Sequence, residues 1–176
     1  MELEKTSILN DFFDEFEHTA WRLETRGSYA SDLKSDRYQR FIQGGRYTPD
    51  GREGFLASRR RLAEQGKRVE RVRIVDQPLT DNQRYLLASA PYNTDAGEDI
   101  RYLWRDQSAF RGVPLEDFWL FDSSVLARFH FDGDVTLGVE LVREPAEVLK
   151  ACQVRDLVTH HAFGYEQLTR WVLSQG

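Results

Sequence analysis

The chain has 176 residues, which suits one domain with a sizeable core. Hydrophobic residues make up 40% and charged residues 30%, and mean hydropathy is -0.59, the balance expected of a soluble chain, while 12% aromatic content argues against disorder. A net charge of -5 gives no global pull toward nucleic acid, and the single cysteine, Cys152, excludes an intrachain disulfide and a thiolate zinc cluster.

The first stretch, MELEKTSILNDFFDEF, is acidic and amphipathic. It lacks the basic and apolar regions of a signal peptide, no apolar run reaches the roughly 20 residues of a membrane span, and the expected location is the cytoplasm. Ile8, Phe12, Phe13 and Phe16 recur at helical spacing among carboxylates and predict a first helix. In TAWRLETR the period drops toward two, which predicts a strand ending at Gly27. Helices are expected over residues 32–42, closed by Gly44 and Gly45, and over residues 54–65, closed by Gly66. The turn residues Pro49, Asp50 and Gly51 lie between them.

RVERVRIVD is the clearest strand, and Pro78 closes it. Thr80 or Asp81 caps a helix that reaches Gly97 and is expected to break near Pro91. EDIRYLWR is a second strand, so this part reads as a parallel crossover. FWLFD, VLARFHF and VTLGVELV then form an antiparallel meander, with Asp132-Gly133-Asp134 as a hairpin turn. Pro145 opens a helix over residues 146–161, and YEQLTRWVLS forms the last one. The expected fold is α/β: a mixed sheet, parallel at its crossover and antiparallel in the C-terminal meander, flanked by helices. The expected organisation is a single domain, 1–176, with residues 1–47 as an N-terminal helix-strand-helix element packed on it.

Familiar catalytic and cofactor signatures are missing. HExxH, GxSxG, GxGxxG and the P-loop do not occur, so no metal and no cofactor are expected. His160 and His161 are adjacent and diverge on a helix, and Cys152 sits among Val148, Leu149 and Val154 as a small core residue. Seven basic residues, Arg59, Arg60, Arg61, Lys67, Arg68, Arg71 and Arg73, fall within fifteen positions. They read either as an anion surface or as a solvated face paired with Glu64 and Glu70. Arg22, Glu24 and Arg26 share one side of the opening strand, and Arg128, His130 and Asp132 share one side of a meander strand. Those two faces either meet in a polar cleft or stay wet. The carboxyl ends of the strands, where an open α/β sheet binds ligands, fall near Asp76, Arg105 and Asp122.

Three blocks carry a resemblance: FEHTAWRLETRGSY, RVERVRIVDQPLTDNQRYLL with AGEDIRYL, and DFWLFDSSVLARFHFDGD. Together they resemble an uncharacterised family of small actinobacterial proteins, a domain of unknown function often encoded near helix-turn-helix regulators. RVRIVD, AGEDIRYL and DFWLFD are also similar in order to one half of the phospholipase D-like fold. The HxKxxxxD pattern of that superfamily is lacking: its window would start at Glu116, with Phe118 in the lysine place and Ser123 in the aspartate place. That outline implies a degenerate version that binds a ligand or a partner without catalysis.

The leading expectation is therefore a cytoplasmic, non-catalytic regulatory or interaction module. It would bind a small anionic ligand or a protein partner, such as a helix-turn-helix regulator, with no membrane and no nucleic acid. Candidate ligand-binding residues are Arg22, Glu24, Arg26, Arg73, Arg101, Asp122 and His130. One alternative is an enzyme of specialised metabolism using Glu24, Asp122 or His130 as acid and base in a cleft. Another is nucleic-acid binding through Arg59 to Arg73.

Overall fold

Hydrophobic alternation and the residues that interrupt it lay out the sheet. In the computed structural model, which describes residues 2–176, a 3-10 turn at Thr6–Ile8 leads into α1 (Leu9–Glu15). Phe12 stacks on Phe121 at 5.2 Å and Phe13 meets Trp119 edge-on at 4.9 Å, so α1 is held by its aromatic face. β1 (Thr19–Glu24) follows, buried on both sides. Where one helix was expected over residues 32–42 there are two, α2 (Ala30–Leu33) and α3 (Asp36–Ile42). The break falls at Ser35, whose hydroxyl accepts the Tyr38 amide and restarts the helix as its N-cap. α4 (Glu53–Glu64) and β2 (Arg68–Val75) come next.

α5 (Asp81–Asp95) opens with a capping box: Thr80 Oγ1 accepts the Gln83 amide, and Gln83 Oε1 accepts the Thr80 amide, both at 3.1 Å. Contrary to expectation, α5 runs unbroken through Pro91. Leu87, Ala90 and Asn93 are all buried around the proline, so packing on the sheet outweighs the lost backbone bond. β3 (Glu98–Trp104) ends one residue early in α6 (Arg105–Phe110), a helix that buries only Ser108 and leaves no periodic trace. β4 (Phe118–Phe121), β5 (Val125–Asp132), β6 (Val135–Val142), α7 (Pro145–His161) and α8 (Tyr165–Ser174) complete the chain. Among the described residues, no helix is long and apolar enough to cross a membrane.

The six strands form one mixed sheet in the order β3-β2-β1-β4-β5-β6. β1, β2 and β3 are parallel, β4 runs antiparallel to β1, and β4, β5 and β6 are the antiparallel meander. The N-terminal segment thus supplies a strand from the middle of the sheet, between β2 and β4. The two faces of that sheet differ. On one, Trp21, Leu23, Val72, Ile74, Leu103 and Leu120 pack with Val148, Ala151 and Val158 of α7 in a continuous apolar core. On the other, apolar clusters cover only the two ends, around Phe121 and Val139 under α1 and around Ile100 and Tyr102 under α5 and α8. Between those clusters the strands carry charge.

Candidate functional site: an arginine-lined cavity over the sheet

Register creates the charged strip. Arg22 of β1 pairs with Arg71 of β2, and Glu24 with Arg73, so all four side chains leave the sheet on one side. On the other flank Arg22 pairs with Trp119. Val69 pairs with Glu98, which puts Glu98 on this face too. β2 reads Val-Arg-Arg-Val on this side and Val72-Ile74 on the other, so both of its faces are built for burial.

The charges form one buried chain of pairs. Glu24 accepts from Arg73 Nε at 2.6 Å and Arg71 Nη1 at 2.8 Å. Arg71 turns its Nε to Glu98 at 2.8 Å, and Arg59 of α4 gives its own Nε to the same carboxylate at 2.7 Å. At the opposite end Arg22 Nη2 reaches Asp117 at 3.0 Å, where Tyr29 Oη also donates, at 2.7 Å. The Thr25 amide and hydroxyl occupy the other oxygen of Asp117. Aromatic rings floor the guanidinium planes: Arg22 lies 3.8 Å from the centroid of Phe129, and Arg71 lies 5.0 Å from that of Trp119. Gly97 lets this happen at the α4 end. It sits at φ +102, and a Cβ there would come within 2.6 Å of Ala63, so only glycine lets α4 approach closely enough for Arg59 to meet Glu98.

Burial and charge work against each other here. Burial alone would raise the Glu24 carboxyl, but Arg73, Arg71 and Arg22 overcome it and pull it down from 4.5 to about 2. Glu98 behaves alike: burial raises it, and Arg71, Arg59 and the Asn93 amide bring it down to about 2. Arg71, held between both carboxylates, is raised in spite of its burial. Arg59 goes the other way. Burial lowers it, and its share of Glu98 does not make up the difference.

Arg22, Glu24, Arg59, Arg71 and Arg73 line a cavity of about 690 Å³ between the sheet and the helices α1 to α5. Four guanidiniums (Arg22, Arg59, Arg71, Arg73) and three carboxylates (Glu24, Glu98, Asp117) make up the charged network beneath it. Arg37 and Arg52 are set farther out, with Tyr47 and Tyr85 as an aromatic wall. Asp32 also faces the cavity, and burial pushes its carboxyl upward.

Arg22, Glu24 and Arg73 of the sequence candidates meet in this cavity. Arg26 lies beside it, donating to the Gly133 carbonyl and stacking on Phe131 at 4.3 Å. The cleft expected to join Arg22 and Glu24 to Asp122 and His130 does not form. β5 presents Ala127 and Phe129 to the Arg22 face, so alternation sends His130 to the opposite face, where it meets Glu140 at 3.1 Å. Asp122 lies past the end of β4 and accepts the amides of Glu17, His18 and Thr19, which fixes the entry to β1. Arg101 is exposed and paired with Asp99 at 3.0 Å. At the carboxyl ends of the strands, Arg105, Asp76 and Gln83 fill the expected crevice with their own hydrogen bonds.

Glu98, Asp117 and Asn93 were not among the sequence candidates, and Arg59 and Arg71 entered only as members of the basic run. Arg59 carried a signal, since it sits with Leu56 and Leu62 on the buried stripe of α4. Glu98 also did, because it shares parity with Ile100 and Tyr102, the buried side of β3. Asp117 lies in a loop and has no periodic signal.

The chain belongs to the family described as a domain of unknown function, DUF6879, which matches residues 7–170. Among curated proteins no sequence matches it. Among solved structures it is similar to NucT from Helicobacter pylori, with 8% identity, 89% of each chain covered and a TM-score of 0.48.

Proposed function

We propose that this protein is a receptor for a small anionic molecule, held in the arginine-lined cavity, and that binding there serves a regulatory role. The observation that carries the reading is Arg59. It is 7% exposed, spends only its Nε on Glu98, and lines a cavity of about 690 Å³. A buried guanidinium with uncommitted N–H groups favours an anion, and the volume is that of a whole small-molecule ligand, for which roughly 300–1,000 Å³ is usual.

Other features support this reading over its alternatives. Glu24 is fully engaged by arginines and stays ionised at neutral pH, which suits a structural counter-ion better than a proton donor. Of the basic run, Arg59, Arg71 and Arg73 are turned inward, which leaves Arg60, Arg61 and Arg68 as its exposed arginines and weakens a nucleic-acid surface.

Thermal melting against a panel of phosphorylated, carboxylated and sulfated metabolites at constant ionic strength tests the proposal. A ligand at a hundred times its Kd adds about 2.7 kcal/mol, which raises the Tm of a chain this size by about 5–10 °C. The rise should vanish in Arg59→Gln. Failure of every anion to shift the wild type, or an equal shift in the variant, would remove the reading.

A further inference from the structure

Of the unpaired polar atoms on residues lining this cavity, Arg22 Nη1, Arg37 Nε and Asn93 Oδ1 are shut off from water, and a ligand cannot reach them. Arg59 is different. Its Nε is spent on Glu98, its Nη1 and Nη2 have no partner among the described residues, and neither is one of the sealed atoms. Its guanidinium is held by aromatic contact, 4.3 Å from the ring of Phe13 and 4.4 Å from that of Phe55. Phe55 carries a second guanidinium. Arg52, the N-cap residue of α4, lies 4.7 Å from the same ring. It gives Nη1 to the Tyr47 hydroxyl at 2.8 Å, and among the described residues its Nε and Nη2 have no partner. Positions 52, 55 and 59 follow the spacing of one helical stripe, and all three line the cavity. Their distances to a common ring centroid put the two guanidinium carbons at most about 9 Å apart.

Two cations this close repel each other. Burial lowers Arg59, and the charges of Arg71 and Arg52 lower it further. Two carboxylates on the cavity wall do not pair with Arg52: Asp14 is exposed on α1, and Asp32 accepts from Asn82 at 3.1 Å. Resting on the anion-receptor reading above, we infer that the ligand is an organic diacid. One acidic group sits on Nη1 and Nη2 of Arg59, the second on Nε and Nη2 of Arg52, and the part between them lies along the Phe55 ring. Each acid then meets two parallel N–H groups, the fork that carboxylates and phosphoryl groups both fit. A molecule with a single acidic group fills one fork and leaves the other to water. The cavity of about 690 Å³ has room for both groups and the chain that joins them.

Titration calorimetry on the whole chain at constant ionic strength tests this with linear dicarboxylates and diphosphonates of about four to eight carbons, each against the monoacid of equal length. The best diacid should bind at least tenfold more tightly than its monoacid. Arg52→Gln should bring that ratio down toward one and leave monoacid affinity within about twofold of the wild type. Arg59→Gln should weaken both classes. Arg60→Gln removes an exposed charge from α4 outside the cavity, and it should keep the wild-type ratio. A ratio near one for every pair in the wild type overturns the diacid site while leaving an anion receptor standing. A ratio that survives Arg52→Gln, or that falls as far in Arg60→Gln, overturns it as well, because the second acid then senses net charge and not this fork. If no acid of either class binds while another anion raises the melting temperature, the diacid site falls alone. If no anion does so either, the receptor reading falls with it. The wild-type comparison needs no variant, so it stands even if a substitution impairs folding.

Discussion

Leu23 and Glu24 are neighbours in β1, and they face opposite worlds. Leu23 is fully buried in the apolar core under α7, where burial needs only shape and oil. Glu24 is 8% exposed on the other side, where burial is tolerable only because Arg71 and Arg73 hold both of its oxygens. A sheet whose sole task is stability has no reason to build the second face. An apolar strip in place of Arg22, Glu24, Arg71, Arg73 and Glu98 would fold at least as well, because desolvating ion pairs commonly offsets what they gain. The charged strip thus adds little to stability, and the proposed anion receptor gives it a role that a core would not.

The sharpest way to break that comparison is to delete a charge on one side and volume on the other. Glu24→Gln keeps the shape and leaves three arginines around a neutral amide, with an expected loss of about 3–5 kcal/mol. Leu23→Ala should cost about 2–5 kcal/mol by opening a cavity. Urea denaturation measures both. The two differ in their response to a bound anion: an anion that raises the melting temperature of the wild type should recover part of the loss in Glu24→Gln and none in Leu23→Ala. A cost below about 1 kcal/mol for Glu24→Gln would mean that this face is effectively wet.

Acid should unmake the charged face while leaving the apolar one intact. The Glu24 and Glu98 carboxyls sit at about 2 in the folded chain, against 4.5 when unfolded. Groups held below their unfolded value stabilise the fold above pH 4.5, and that contribution disappears as pH falls from about 4.5 toward 2. Each is worth on the order of 3 kcal/mol. Denaturant midpoints measured from pH 6 to pH 2.5 should therefore drop steeply below pH 4.5, and the drop should be shallower in Glu24→Gln. An unchanged slope in that variant would show that Glu24 is not part of the acid response.

The strands and most helices were legible because their periods are local: TAWRLE, RVERVRIV and the meander each repeat every second residue. The mixed sheet follows from them. Half of the site was legible for the same reason, since Arg22 and Glu24 share one parity. Its other half depends on register between strands far apart in sequence. Parity within β2 puts Arg71 and Arg73 together, but only the parallel pairing of β1 with β2 sets them opposite Arg22 and Glu24. Asp117 and Asn93 enter through a loop and a helix whose placement no local pattern encodes. The misplaced candidates fail in the same way. Arg128 and His130 do share a face, where both meet Glu140, yet which face of β5 meets Arg22 is settled by the β4 pairing of Trp119 with Ala127. Pro91 shows the converse, a local breaker overruled by packing on both sides of it.

The smallest effect is expected on the face that resembles a site in sequence and is not joined to the cavity. His130 is half-buried, and its Nε2 lies 3.1 Å from Glu140, which also receives Arg128 at 3.2 Å. Arg128 has further partners in Glu116 and Glu147, so this cluster keeps its main cation whether or not the imidazole is present. Pairs this accessible contribute about 0–1 kcal/mol. His130→Ala should therefore shift the stability by less than about 1 kcal/mol, and it should leave the anion-induced rise in melting temperature unchanged, because β5 turns Ala127 and Phe129 toward Arg22. A loss of the anion-induced rise in His130→Ala, with stability intact, would mean that the two faces of the sheet communicate, and that the division between an apolar support and a charged face is too simple.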